Sequence, residues 1–329
     1  MNSAPRVLVT GPIPGPALAL LREGTVDGKS VVVDAWEDGN EPMPRADLLE
    51  RSRGSHGIVC LLTERVDVEV LHASGPQLCV VANVAVGHNN LDVPAIREHG
   101  AVATNTPGVL TDATADIALA LILMTTRRLG EGERIIRSGE AWKWAMSFHL
   151  GTGIAGKRLG IVGMGAIGQA LARRARACGM TIAYSNRRPV DPDIAAALGA
   201  SFVSLDELVS TSDVVSIHCP HSPDTHHLFG ADLLARMRPD AFLVNTARGP
   251  IVDEAALVDA LERRIISGAG LDVFEQEPSV HPGLVAREDV VLLPHLGSAT
   301  VETRTAMAVL AVRNCLAVLN GELPLTPIR

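Results

Sequence analysis

Aromatic residues are scarce in this sequence, at 3% of 329 positions, and the core must therefore be aliphatic. Ala, Val, Leu and Ile make up the deficit, and branched aliphatics suit parallel strands covered by helices on both faces. Basic charge is also short: 29 Lys and Arg stand against 37 Asp and Glu, a net charge of −8. That balance argues against nucleic acid as a partner, because duplex binding leans on clustered cations. No stretch reaches the ~20 apolar residues of a membrane span. The start of the chain is broken by Pro12, Pro14 and Pro16 and carries only Arg6 as a base, which is unlike a secretory signal. Five cysteines, Cys60, Cys79, Cys178, Cys219 and Cys315, are too scattered and too odd in number for a disulfide framework. A soluble, cytoplasmic protein without membrane or nucleic-acid partners is expected. Repeats, low-complexity tracts and Ser/Gly linkers are missing as well.

What is present is a 47% hydrophobic chain long enough for two domains. Short aliphatic runs alternate with helical patterns in two sets, which predicts α/β architecture with two doubly wound parallel-sheet domains. The first set is 7–10, 31–35, 57–62, 78–81 and 101–104. The second is 159–163, 181–184, 201–204, 214–218, 241–245, 268–273 and 290–293. Helices are expected over Thr111–Arg128, closed by Arg127 and Arg128, and over Val301–Leu319, stopped by Asn320-Gly321. The joints fall at Asn105-Thr106-Pro107 and Pro294-His295, so that residues 1–105 and 295–329 form one discontinuous domain and 106–294 the other.

Leu159 to Val162 leads into Gly163-Met164-Gly165-Ala166-Ile167-Gly168 and then a helical segment. In a strand-turn-helix setting this GxGxxG is a dinucleotide fingerprint. The first glycine makes the turn, the second lets the backbone approach a pyrophosphate, and the third permits close helix packing. An NAD site places Asp or Glu near the end of the next strand. Here Ser185-Asn186-Arg187-Arg188 stands there instead. Two guanidinium groups suit a 2′-phosphate, so NADP(H) is preferred and NAD(H) is possible.

Polar residues gather at three later strand ends, where ligands collect in open α/β sheets. Reduction of a 2-keto acid needs a cation for the carboxylate and carbonyl, and an acid that gives up a proton near neutral pH. Arg248 suits the first role and His295 the second, with Glu277 as the carboxylate that orients His295.

Thr246-Ala247-Arg248-Gly249, Asp272-Val273-Phe274-Glu275-Gln276-Glu277-Pro278 and Pro294-His295-Leu296-Gly297-Ser298-Ala299-Thr300 resemble the motifs of the D-isomer-specific 2-hydroxyacid dehydrogenase family. The segment from Asn105 to Asp116 resembles its glyoxylate/hydroxypyruvate reductase branch. This resemblance covers almost the whole chain. It implies a Rossmann-type cofactor domain, a flavodoxin-like substrate domain, an active site in the cleft, and a homodimer built through the cofactor domain and an arm near Leu129 to Gly153. It further implies that Val86 and Gly87 hold the substrate carboxylate with Arg248 and His295. Ala166 and Ile167 would touch pyrophosphate, and Asp272 the nicotinamide amide. His218, Cys219, Thr246, Ala247, Gly297 and Ser298 would line the cofactor site. His88 and Asn89 depart from many relatives, which leaves substrate size open.

His218, Cys219, His221, His226 and His227 straddle a strand end and a proline-containing loop, a poor frame for tetrahedral ligation, and no metal is expected. Trp142 and Trp144 are read as packing in the dimer arm. Other substrates on the same fold (2-ketogluconate, phosphite, formate) remain open, although no basic residue adjoins Val86 to favour phosphite. A nucleotide-sensing protein is the non-enzymatic alternative, and this chain lacks the docking extensions it would carry.

Overall fold

Aliphatic runs buried on both faces become the central strands of two parallel sheets. The computed structural model describes residues 4–37, 41–139 and 141–328. The chain divides into two compact units, Met1–Leu110 with Ala299–Arg329, and Thr111–Ser298.

The first unit holds a five-stranded sheet in the order Val32–Ala35, Arg6–Val9, Gly57–Cys60, Val80–Asn83, Val102–Thr104. In chain order this is 2-1-3-4-5, the flavodoxin-like winding. All four pairings are parallel, with Val7 beside Gly57 and Val80 beside Val102. Val59 and Val80 pack on the helix Val301–Leu319 through Ala308, Ala311 and Val312 on one face, and Ile58 and Val81 pack with Val70 and Ile96 on the other. The returning helix has the predicted bounds, and the Thr300 side chain caps it by accepting from the Thr303 N–H at 3.0 Å. One element escaped the sequence reading, a hairpin of Thr25–Val26 with Lys29–Ser30. Its Asp27-Gly28 turn has both φ values positive, 50° and 75°, and an Asp-Gly pair is the signal that marks such turns.

The second unit holds seven parallel strands in the order Ala200–Phe202, Thr181–Ser185, Arg158–Val162, Val214–Ile217, Phe242–Asn245, Gly268–Leu271, Val290–Leu292. This is 3-2-1-4-5-6-7, a doubly wound sheet whose order reverses beside Arg158–Val162. The carboxyl ends of Arg158–Val162 and Val214–Ile217 therefore flank the crevice where the glycine-rich turn begins.

The first join falls after Leu110 rather than at Asn105-Thr106-Pro107, and two further boundaries differ from expectation for visible reasons. The helix from Thr111 ends at Thr126, so Arg127 and Arg128 lie beyond it. Arg128 takes a left-handed conformation (φ 55°) and pairs with Glu131, starting the next helix, Leu129–Arg137. The second join falls after Ser298 rather than before His295. The His295 N–H donates to Asp272 O (2.9 Å), and the Thr114 hydroxyl donates to Gly297 O (3.1 Å). Residues 295–298 are thereby tied to the seven-stranded unit, which keeps His295 with Arg248 and Glu277. Among the described residues no helix is long and apolar enough to cross a membrane.

Candidate active site

The three glycines of the turn after Arg158–Val162 do three different things. Gly163 has φ +99°, and a Cβ there would lie 2.5 Å from Cys219 N and 2.6 Å from His218 C. The turn thus depends on its missing side chain to pass the neighbouring strand end. Gly168 is equally constrained, its hypothetical Cβ 2.4 Å from Gly163 O. Gly165 faces nothing within 4 Å and is exposed. Gly165 heads the helix Ala166–Ala177 without any side-chain cap. Free N–H groups at Ala166 and Ile167, together with the positive end of the helix, give this end the polarity that suits an anion.

The turn opens on a groove of about 1010 Å³ lined by Gly163, Gly165, Ser185, Arg187, Arg188 and His218 among others. Asn186 acts within the protein itself, since its Oδ1 accepts the Met164 N–H at 2.7 Å and so ties the second strand's end to the turn. Arg187 and Arg188 are exposed, and no described residue forms an ion pair or hydrogen bond with either. The cation pair therefore remains available to a phosphate. His218 Nε2 lies 2.8 Å from Ser216 Oγ, and burial pushes the imidazole down to about 4. Burial pushes the Cys219 thiol up to about 11. Both are uncharged at neutral pH. The fit to a nicotinamide dinucleotide rests on the open face at Gly165, the uncapped helix and this groove.

Arg248, Glu277 and His295 come together on loops after three strands of the same sheet. His295 Nδ1 donates to Glu277 Oε2 at 2.7 Å. The other carboxylate oxygen accepts the Phe274 N–H at 3.0 Å. Burial alone would raise the Glu277 carboxyl. The hydrogen bond and charge of His295, the Phe274 N–H and the Arg248 charge outweigh it and hold the group below its ordinary value. With Nδ1 committed to Glu277, Nε2 is the ring atom left for proton traffic. His295 has φ +53°, a conformation rare for a side chain of its size and the kind of local strain that concentrates at working sites.

Arg248 is half-buried, and burial lowers its guanidinium below the ordinary arginine value, partly opposed by Glu277. Among the described residues, the guanidinium makes one hydrogen bond, from Nη1 to Ala247 O, 2.6 Å away. No carboxylate of a described residue forms an ion pair with it. An inward cation without a paired anion is costly unless an anionic ligand completes it.

Several residues hold this constellation in ways the sequence does not show. Asn245, fully buried, accepts from Ala247 N (3.0 Å) and donates to Arg248 O (2.9 Å), forming the turn that presents Arg248. The signal was an Asn directly before the turn. At Gly249 a Cβ would sit 1.8 Å from Phe274 C, so only glycine lets the Arg248 and Glu277 loops touch. Glu254 and Glu275 lock those loops reciprocally, each accepting the other's backbone N–H at 2.8 and 2.9 Å. Asp272, 1% exposed, accepts from Leu296 N (2.6 Å) and Gly297 N (2.8 Å), and so holds the His295 turn. The Thr246 hydroxyl is buried without a hydrogen-bond partner.

His226 and His227 stack at 4.1 Å between ring centroids, and His227 Nε2 lies 2.5 Å from Glu275 Oε1. Among the described residues, no group of three or more His, Cys, Asp and Glu side chains is disposed to hold a metal ion. In the first unit, Val86 and Gly87 lie in a half-buried turn after the strand Val80–Asn83.

Residues 119–297 match the family model described as D-isomer specific 2-hydroxyacid dehydrogenase, NAD binding domain. A glyoxylate reductase of Thermococcus onnurineus is 46% identical over 326 residues, covering 98% of this chain and 95% of that protein. Among solved structures, a glyoxylate reductase from Paecilomyes thermophila superposes with a TM-score of 0.87 at 35% identity, covering 100% of this chain and 99% of that one. An NADPH-dependent glyoxylate/hydroxypyruvate reductase of Sinorhizobium meliloti, solved with NADP and malonate, has a TM-score of 0.85 at 36% identity and covers 99% and 97%. The chain belongs to the D-isomer-specific 2-hydroxyacid dehydrogenase family. Within it, the protein is an NAD(P)-dependent oxidoreductase of the glyoxylate reductase branch.

Proposed function

We propose that this protein reduces glyoxylate and hydroxypyruvate to the corresponding 2-hydroxy acids, the D isomer in the case of hydroxypyruvate, with NADPH preferred over NADH. The observation that carries the reading is Arg248, a half-buried guanidinium without a carboxylate partner among the described residues, beside the hydrogen-bonded His295–Glu277 pair. The names of the similar reductases support the substrate class, and the unpaired Arg187 and Arg188 support NADPH.

Gly163, Gly165, Gly168, Ala166 and Ile167 would hold the pyrophosphate, and Ser185, Asn186, Arg187 and Arg188 the 2′-phosphate end. His218, Cys219, Thr246, Ala247, Asp272, Gly297 and Ser298 would line the remaining groove. The reduced nicotinamide, when bound, supplies the hydride. Arg248 draws in the carboxylate and stabilises the developing oxyanion, and His295 Nε2 delivers the proton to that oxygen. Glu277 keeps the ring in the tautomer that presents this proton. In the five-stranded unit, the backbone N–H groups of Val86 and Gly87 form a carboxylate receptor. The five-stranded unit is thus the substrate-binding domain, and the seven-stranded unit the cofactor-binding and dimerisation domain.

A homodimer fits the segment after Leu129–Arg137, where Trp144 and Met146 are 73% and 81% exposed and Leu150 is 65% exposed. Five unpaired thiols fit the reducing cytoplasm. The variant Glu277→Gln tests the mechanism, with kcat for glyoxylate and the NADPH Kd as readouts. Loss of the carboxylate should lower kcat by about ten- to a hundredfold while leaving NADPH affinity intact. An unchanged kcat would break the pairing of Glu277 with His295.

A further inference from the structure

The turn Ala85–His88 has its backbone polarity sorted in one direction. Four successive carbonyls are engaged. Ala85 O accepts from Thr106 N (2.8 Å) and His88 O from Leu91 N (3.0 Å). Val86 O accepts from the Asn105 side-chain amide (2.8 Å), and Gly87 O from that of Asn83 (2.9 Å). By contrast, the N–H groups of Val86, Gly87 and His88 meet no acceptor among the described residues. Consecutive backbone N–H groups released together form a concavity suited to an anion.

The two amides that turn the carbonyls inward are themselves anchored. Asn83, fully buried, and Asn90 exchange side-chain hydrogen bonds at 3.3 and 3.2 Å, and Asn90 also donates to Leu61 O and Glu64 O. Asn105 is held through its backbone: its carbonyl accepts from the Thr326 hydroxyl (2.6 Å), and its N–H donates to Thr326 O (3.2 Å). Thr326 is gripped in turn by Asn314, a fully buried residue of the helix Val301–Leu319. Asn314 accepts the Thr326 N–H (2.9 Å) and donates to its Oγ1 (2.8 Å). A continuous polar strut therefore runs from that helix through Thr326 and Asn105 to the Val86 carbonyl.

We propose that Asn105, seated by Thr326 and Asn314, is a positioning residue for the substrate carboxylate: it fixes the Val86 carbonyl and so aims the Val86–His88 N–H groups at the anion. The inference rests on the keto-acid reading above. An amide suits this role, because Nδ2 donates without adding a charge that would compete with the substrate.

Asn105→Leu tests it, since it keeps the size but removes the donor without placing a charge near the anion. Kinetics are measured with glyoxylate and with its uncharged ethyl ester, alongside the NADPH Kd and Tm. The expected result is a rise in glyoxylate KM of about ten- to a hundredfold, with the loss in kcat/KM for the ester at least tenfold smaller. Equal losses on both substrates, or no loss, would overturn the positioning role while leaving the keto-acid reading intact. A wild type that uses the ester as well as glyoxylate would overturn the carboxylate reading itself, and this inference with it. If Asn105→Leu does not fold, Thr326→Val removes one hydroxyl from the strut. The same substrate-dependent split, smaller in size, is then expected, and its absence counts against the proposal.

Discussion

Two backbone turns in this molecule present bare N–H groups, and they are held open by opposite means. The turn at Gly163–Gly168 relies on missing side chains, since Gly163 and Gly168 pass within contact distance of neighbouring backbone and Gly165 leaves its outer face clear. The turn at Ala85–His88 relies on added side chains, with Asn83 and Asn105 pulling two carbonyls inward. Steric permission is local and belongs to the residue itself. A clamp requires partners, and Asn105 and Asn314 are brought to this turn only by folding. The first device therefore leaves a motif, and the second leaves none.

The largest expected effect breaks the glycine turn. Gly163→Ala forces a Cβ onto the backbone of His218 and Cys219 at a φ of +99°, so NADPH affinity should fall at least a hundredfold, with a lowered Tm. Gly165→Ala meets nothing within 4 Å and should keep the Tm while still weakening the cofactor. Equal thermal damage in the two variants would contradict the division of labour among the glycines.

A medium effect sharpens the comparison by separating backbone from side-chain recognition on the cofactor side. Arg187→Ala or Arg188→Ala should weaken NADPH by about ten- to a hundredfold and spare NADH, because one charge-assisted phosphate contact is lost. Titration of both cofactors by fluorescence checks this. Parallel losses for the two would remove the arginines from the 2′-phosphate.

The smallest effect is a dependence on acidity confined to one of the turns. His218, whose backbone abuts Gly163, is held down to about 4 by burial. Its contribution to stability is whole above the ordinary value of 6.5 and declines as pH falls toward 4, because the unfolded chain takes up the proton first. Comparing wild type with His218→Gln, the wild type should lose about 2–4 °C more in Tm between pH 7 and pH 4.5. The asparagine clamp contains no titrating side chain, so the Tm gap between wild type and Asn105→Leu should stay constant over the same pH range. A Tm gap between wild type and His218→Gln that ignores pH would show that the buried imidazole is not what links acidity to this turn.

Most of the scaffold was legible in the sequence for a simple reason. Strands buried on both faces must be continuous aliphatic runs, and all twelve runs singled out there correspond to strands of the two sheets. The hairpin at Thr25–Ser30 leaves no mark in the hydrophobic pattern of the sequence because its strands are two residues each, too short to show a period. The helix stops at Thr126 although Arg127 and Arg128 look like dipole partners. Arg128 instead turns left-handed toward Glu131.

Sequence alone determined the chemistry on offer: the glycine turn, the absence of an acid after Tyr184, and the residue types Arg, Glu and His at strand ends. Those depend on local backbone freedom and on which side chains exist at all. Tertiary structure decided how they are held. It gave Asp272 the His295 turn to support and let Gly249 bring the Arg248 loop against Phe274. It also ran a strut of amides and a hydroxyl from Asn314 to Val86. Each of these joins residues far apart in the chain through directional hydrogen bonds or close backbone contact, and such pairings exist only once the sheets have formed.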